Sequence, residues 1–231
     1  MDDPTQGGAE LEQALRHLRM LNRLLGASRP ALYGVKRLWE TNGRPLRLTV
    51  LDVGSGSGDI NRTLLRWARR QGVDLSVMLC DVTEEARIES DRLFRGDSRV
   101  SFVKRSVFDL PSRHADIVTA SQFAHHYAPD EIPSLIERML DVSRIGVVIN
   151  DIHRHWLPWT AVWLLTRLIS RNRFIRHDGP LSVAKGFRGD DFREAARRLR
   201  IDDMTLSWRP LFRYAAIIPS RREGTPDAQG S

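Results

Sequence analysis

Leu11, Leu15, Leu18, Leu21, Leu24 and Leu25 fall on one face of a helix, which the spacing ends near Gly26. A second, shorter helix is expected over 31–40, closed by Asn42-Gly43. After Pro45 the periodicity changes. Apolar runs at 48–53, 75–80, 100–103, 116–120 and 145–149 read as buried strands, and the stretches at 60–71, 84–93 and 132–140 as helices. Strands separated in this way form parallel βαβ units with both sheet faces covered. Beyond Asn150 the alternation breaks. A Trp- and Leu-rich helix is expected over 156–169, then a loop containing His177-Asp178-Gly179-Pro180, a polar helix over 190–199, and strands at 203–208 and 213–218. The short connection around Arg209-Pro210-Leu211 predicts an antiparallel hairpin at the sheet edge. The expected class is α/β: a doubly wound, seven-stranded sheet, mostly parallel, with N-terminal helices over 1–45. The main domain spans 46–220, with a helical substrate-cap insertion at about 152–188, and a polar tail follows over 221–231.

Composition narrows the class of protein. At 231 residues, 41% hydrophobic and 28% charged, the chain suits one globular domain with a sizeable core. No apolar run reaches the roughly 18–20 residues that cross a bilayer. Met1-Asp2-Asp3-Pro4 is acidic where a secretory signal is basic, and a cytoplasmic location is expected. Cys80 is the only cysteine, so no intrachain disulfide can form and a cysteine-built metal site is disfavoured. The net charge of +7 raises a nucleic-acid partner, but 33 of the 36 basic residues are arginines spread along the chain. No basic run interleaved with aromatics appears, and a solvated basic surface is the simpler reading.

The strongest chemical signal is Val50-Leu51-Asp52-Val53-Gly54-Ser55-Gly56-Ser57-Gly58-Asp59, between the first strand of the βαβ series and its first helix. Alternate glycines allow a tight turn and a close backbone approach to a ligand. A dinucleotide fingerprint would place the third glycine one residue later. Asp52 would repel a pyrophosphate but attract a cation. S-adenosylmethionine supplies sulfonium and ammonium charges and has no phosphate. Asp81 closes the second strand, where a carboxylate can accept hydrogen bonds from both ribose hydroxyls. The candidate cofactor contacts here are Asp52, Gly54, Ser55, Gly56, Gly58, Asp59 and Asp81, with Val82 and Ser121 beside the ends of the second and fourth strands.

These residues resemble the class I, Rossmann-like methyltransferases. "VLDVGSGSGD" is similar to their first motif, "VMLCD" to the second, "HADIVTASQFAHH" to the fourth-strand motif and "IGVVINDIHR" to the fifth. The nearest tone is that of ubiquinone/menaquinone-type and bacterial polyketide- or phenol-modifying enzymes. The resemblance implies S-adenosylmethionine as cofactor, S-adenosylhomocysteine as product, and O-methylation of a phenolic, polyketide or quinone-type acceptor. It also implies an acidic residue touching adenine, four positions before the Leu of a Leu-Pro pair; here that position is Ser106, with Val107 and Phe108 able to flank the ring.

In-line methyl transfer depends on alignment, and a base is needed only when the acceptor carries a proton. His125 and His126 follow the fourth strand, where phenolic O-methyltransferases place a base histidine. Alignment on the strand selects His125, and alignment on Asp130-Glu131 selects His126. His153 is a further catalytic candidate. Asp151, His155, Trp156, Trp159 and His177 are candidate substrate contacts with the two adjacent histidines. Trp156, Trp159 and Trp163 read as a pocket wall, as interfacial docking helped by Arg167, Arg171, Arg173 and Arg176, or as core or homodimer contact. No metal-ligand spacing occurs. The alternatives are an RNA methyltransferase and a non-catalytic cofactor-binding partner protein. A dehydrogenase is opposed by the glycine spacing.

Overall fold

A computed structural model describes residues 26–152, 189–210 and 213–220. The elements are α1 (Ser28–Thr41), β1 (Arg47–Val53), α2 (Asn61–Gln71), β2 (Asp74–Asp81), α3 (Glu84–Leu93) and β3 (Val100–Lys104). They continue with β4 (Ala115–Ser121), α4 (Ile132–Val142), β5 (Ser143–Ile152), α5 (Gly189–Arg198), β6 (Thr205–Arg209) and β7 (Arg213–Pro219). Short 3-10 turns occupy Val107–Asp109 and Ala124–His126. The helix expected over 11–25, the Trp-rich insertion and the tail over 221–231 lie outside the described residues.

The sheet has seven strands in the order β3-β2-β1-β4-β5-β7-β6, parallel from β3 to β5, with β7 antiparallel to both β5 and β6. The expected doubly wound sheet and late antiparallel pair are both present. The last strand fills the inner place, leaving β6 at the edge.

Helix and strand patterns explain the layers. Val35, Leu38 and Trp39 of α1 and Leu64, Leu65 and Trp67 of α2 cover one face, against Val50, Val77, Val148 and Ile217. Leu135, Ile136 and Met139 of α4 and Phe192 of α5 cover the other, against Val118, Val147, Ile149 and Ile218. Fully burying such a side chain contributes about 1.5–3 kcal/mol, so burial on both faces holds the sheet through its few polar positions. β5 runs to Ile152, beyond the apolar run that marked it. Its continuation, Asn150 and Asp151, is wholly buried yet polar.

β2 and β3 proceed outward from one side of β1, while β4 and β5 proceed from the other. Connections therefore leave the carboxyl ends of β1 and β4 in opposite directions, opening a crevice there. Among the described residues no helix is long and apolar enough to cross a membrane.

Candidate active site

The crevice is built on the turn after β1. Gly54, Gly56 and Gly58 have φ of +60°, +52° and +72°, which side chains with a Cβ seldom adopt. Ser55 N–H donates to Cys80 O (3.2 Å) and Gly58 N–H to Ser55 O (2.8 Å). Asp81 accepts from Gly56 N–H at 2.9 Å through one oxygen. Its other oxygen accepts from the Thr83 amide (3.0 Å) and hydroxyl (2.9 Å). Asp81 thus ties the end of β2 to the glycine turn, in addition to the ligand role expected of it. Phe123 reaches the turn from the far side: a Cβ on Gly54 would stand 2.0 Å from its ring. Gln122, at φ +56°, redirects the chain after Ser121, and its N–H donates to Asn150 O at 2.7 Å.

Asp52 sits beneath this turn, 3% exposed. It accepts from Asn61 Nδ2 (2.6 Å) and Thr119 Oγ1 (2.8 Å), and no cation pairs with it among the described residues. Burial pushes its carboxyl up to about 6, opposed by those two hydrogen bonds and reinforced by the charges of Asp59 and Asp81. Ser55 Oγ is buried without a partner. A buried acid with no cation beside it among the described residues, an orphan hydroxyl and a turn of alternating glycines fit an adenosyl ligand bearing an ammonium group. Asp59 accepts from Ser57 Oγ at 3.2 Å, within the turn itself.

The adenine side fits less evenly. Val82 and Phe108 are 59% and 46% exposed, leaving apolar surface at the carboxyl ends of β2 and β3. Val107 is buried in the core, so Phe108 has the surface to flank a base. Ser106 Oγ accepts from Phe108 N–H at 3.3 Å and caps the short turn.

The raised Asp52 pKa carries a pH prediction. From pH 3.8 to about 6 the unfolded chain has lost this proton while the native protein keeps it. Stability from this group is therefore full below that window and lost as pH rises through about 6. A shift of this size is on the order of 3 kcal/mol. A bound ammonium group favours the carboxylate, so S-adenosylhomocysteine affinity should rise between pH 5 and about pH 7. Calorimetry across that range checks it. A flat profile, or the same rise in Asp52→Asn, contradicts the assignment.

β4 and β5 bring together residues that lie 26 positions apart. His125 Nδ1 is 2.9 Å from Asp151 Oδ1, and His125 N–H donates to Asp151 Oδ2 at 3.2 Å. Both side chains are buried. His126 is exposed, its ring 4.4 Å from that of His125 between centroids. Asp151 thus fixes the Nδ1–H tautomer of His125 and leaves the lone pair on Nε2. His153, His155, Trp156, Trp159 and His177 lie outside the described residues. Asn61, Thr119 and Phe123 were not foreseen as site residues. Thr119, a lone hydroxyl within the apolar run of β4, was the available signal.

Residues 50–146 match the family model described as a methyltransferase domain. Among solved structures, the chain is similar to human N-acetylserotonin methyltransferase in complex with S-adenosylmethionine. Identity is 14%, the match covers 92% of this chain and 56% of that one, and the TM-score is 0.63. It is also similar to the plantazolicin methyltransferase in complex with S-adenosylhomocysteine, at 12% identity, 90% coverage of each chain and TM-score 0.64. A third is the magnesium protoporphyrin IX methyltransferase of Synechocystis PCC 6803 with bound S-adenosylmethionine. It is 12% identical, over 94% of this chain and 86% of that one, with TM-score 0.53. The chain spans little more than half the length of the human enzyme. No curated protein matches. Residues 50–146, less than half of the chain, thus resemble a methyltransferase domain, and the solved structures, at 12–14% identity, share its class I, Rossmann-like fold.

Proposed function

We propose that the protein methylates a hydroxyl group of a small aromatic or apolar acceptor, of the phenolic, polyketide or quinone type, with His125 as general base. The observation that carries this reading is the buried His125–Asp151 pair at the carboxyl ends of β4 and β5, beside the glycine turn. The cofactor, when bound, supplies an electrophilic methyl group. Asp52, Ser55, Asp81, Val82 and Phe108 would hold it, with the turn amides leaving room for close approach. His125 Nε2 would take the hydroxyl proton as the acceptor oxygen bonds to the methyl carbon and the methyl–sulfur bond breaks, leaving S-adenosylhomocysteine, and the Asp151 carboxylate would stabilise the resulting imidazolium. Such proton transfer contributes typically about 10²–10⁴-fold, and alignment supplies much of the rest.

The test incubates the full chain and S-adenosylmethionine separately with phenols, anilines, thiols and tRNA, and detects products by mass spectrometry. O-methyl ethers from phenols are the expected products. Transfer to tRNA alone favours the RNA-methyltransferase alternative. Cofactor binding without any transfer favours the non-catalytic one.

A further inference from the structure

Arg213 opens β7 and is 2% exposed. Its Nε and Nη1 are solvent-excluded and have no hydrogen-bond partner. Burial pushes its guanidinium down to about 10, while the charge of Asp151 pulls the other way. Arg209 stands directly across from it in the β6–β7 register, where like charges repel. Arg209 lies over the Tyr33 ring, 4.1 Å from its centroid. Among the described residues no comparable contact serves Arg213. On the same sheet face, the neighbouring strand β5 carries Asn150. Its Nδ2 donates to Ala27 O at 2.8 Å, but its Oδ1 is buried without a donor.

Buried polar groups without partners cost free energy, and each one calls for a reason. A guanidinium with two unpartnered nitrogens, near an unpartnered amide oxygen, is complementary to a ligand with an oxyanion and a nearby hydroxyl. Position selects the ligand. β4 and β5 stand between β1 and β7, which places Arg213 three strand spacings, roughly 14 Å, from the glycine turn. In the β5–β7 register it pairs with Ile152, one step past the Asp151–Tyr214 pair at the carboxyl end of β5, so its side chain leaves the opposite sheet face from Asp151, which holds His125. The two faces meet at that end of the sheet, where the crevice opens and the acceptor enters.

We propose that Arg213, assisted by Asn150, recognises a carboxylate on the acceptor, which makes the substrate class an aromatic hydroxy acid. This inference rests on the methyl-transfer reading above. Charge-assisted hydrogen bonds from a guanidinium in a dry site would discriminate strongly between the acid and its uncharged ester.

The experiment uses the full chain loaded with S-adenosylhomocysteine and calorimetric binding of 3- and 4-hydroxybenzoate against their methyl esters. At least one acid should bind tenfold or more tightly than its ester, by about the factor a single charge-assisted bond supplies. Arg213→Gln should abolish that preference while S-adenosylhomocysteine affinity is unchanged. Arg213→Lys, which keeps the charge, should retain part of it, and it is read in the same way if the glutamine variant does not fold. Esters that bind as well as acids overturn the proposal without any variant. So does an acid affinity untouched by Arg213→Gln. A parallel loss of S-adenosylhomocysteine affinity would assign the arginine to the cofactor's own carboxylate and also overturn it. Failure of the wild type to bind S-adenosylhomocysteine would instead strike the methyl-transfer reading.

Discussion

His125→Ala should lower kcat toward a phenolic acceptor by about 10²–10⁴-fold, while S-adenosylhomocysteine affinity stays unchanged. His125 is held twice by one buried carboxylate, through its ring and through its backbone N–H, so the imidazole has a fixed orientation and tautomer. Removing the ring removes the proton acceptor and leaves the cofactor turn in place. Asp151→Asn should also be slow, because an amide can no longer accept at both positions and the ring loses its fixed tautomer. The double variant should be little slower than either single one, as expected of residues that act as a unit. His126→Ala is the internal comparison: its side chain is exposed where that of His125 is buried, so it should change kcat far less. Stopped-assay kinetics with calorimetry on the same preparations check all four variants. Equal losses at His125 and His126, or a rate loss that follows cofactor affinity, would remove His125 from the base role.

The contrast between the two histidines shows where the sequence is legible and where it stops. Strand and helix positions were readable because the apolar residues alternate between short runs and helical spacing, as in Arg47–Val53 and Ile132–Val142. The glycine turn was readable because positive φ demands glycine at fixed offsets. The difference between the two histidines was not. His125 and His126 are adjacent, and the carboxylate that sets His125 apart lies 26 residues away on another strand. The end of β5 was missed because Asn150 and Asp151 are polar, and hydropathy cannot distinguish a buried acid from a loop. Val107 and Phe108 looked equivalent beside Ser106, but the short turn over 107–109 sends one into the core and the other outward. Arg213 gave no warning, since one arginine among 33 carries no mark of burial.

Gly54→Ala joins the stability of the fold to the chemistry of the site. At φ +60° an alanine costs about 1–2 kcal/mol in backbone strain alone. Its Cβ would also stand 2.0 Å from the Phe123 ring, so the ring must move. Overpacking of this kind adds about 1–3 kcal/mol. Phe123 packs edge-on against Tyr127, with ring centroids 5.3 Å apart, and it directly precedes the turn Ala124–His126. Displacing the ring therefore disturbs the segment that carries His125 as well as the cofactor turn. The expected result is a loss of about 2–5 kcal/mol in urea unfolding. Weaker S-adenosylhomocysteine binding and a lower kcat should accompany it. Gly43→Ala separates the two causes, because Gly43 has φ +80° with nothing within 4 Å of its Cβ position. It should show the backbone cost alone and leave cofactor affinity intact. Phe123→Ala in the Gly54→Ala background should recover the packing part of the loss and none of the strain. If Gly54→Ala is no more costly than Gly43→Ala, the ring does not lie against the turn. The crevice between β1 and β4 would then lack the wall that joins cofactor to base.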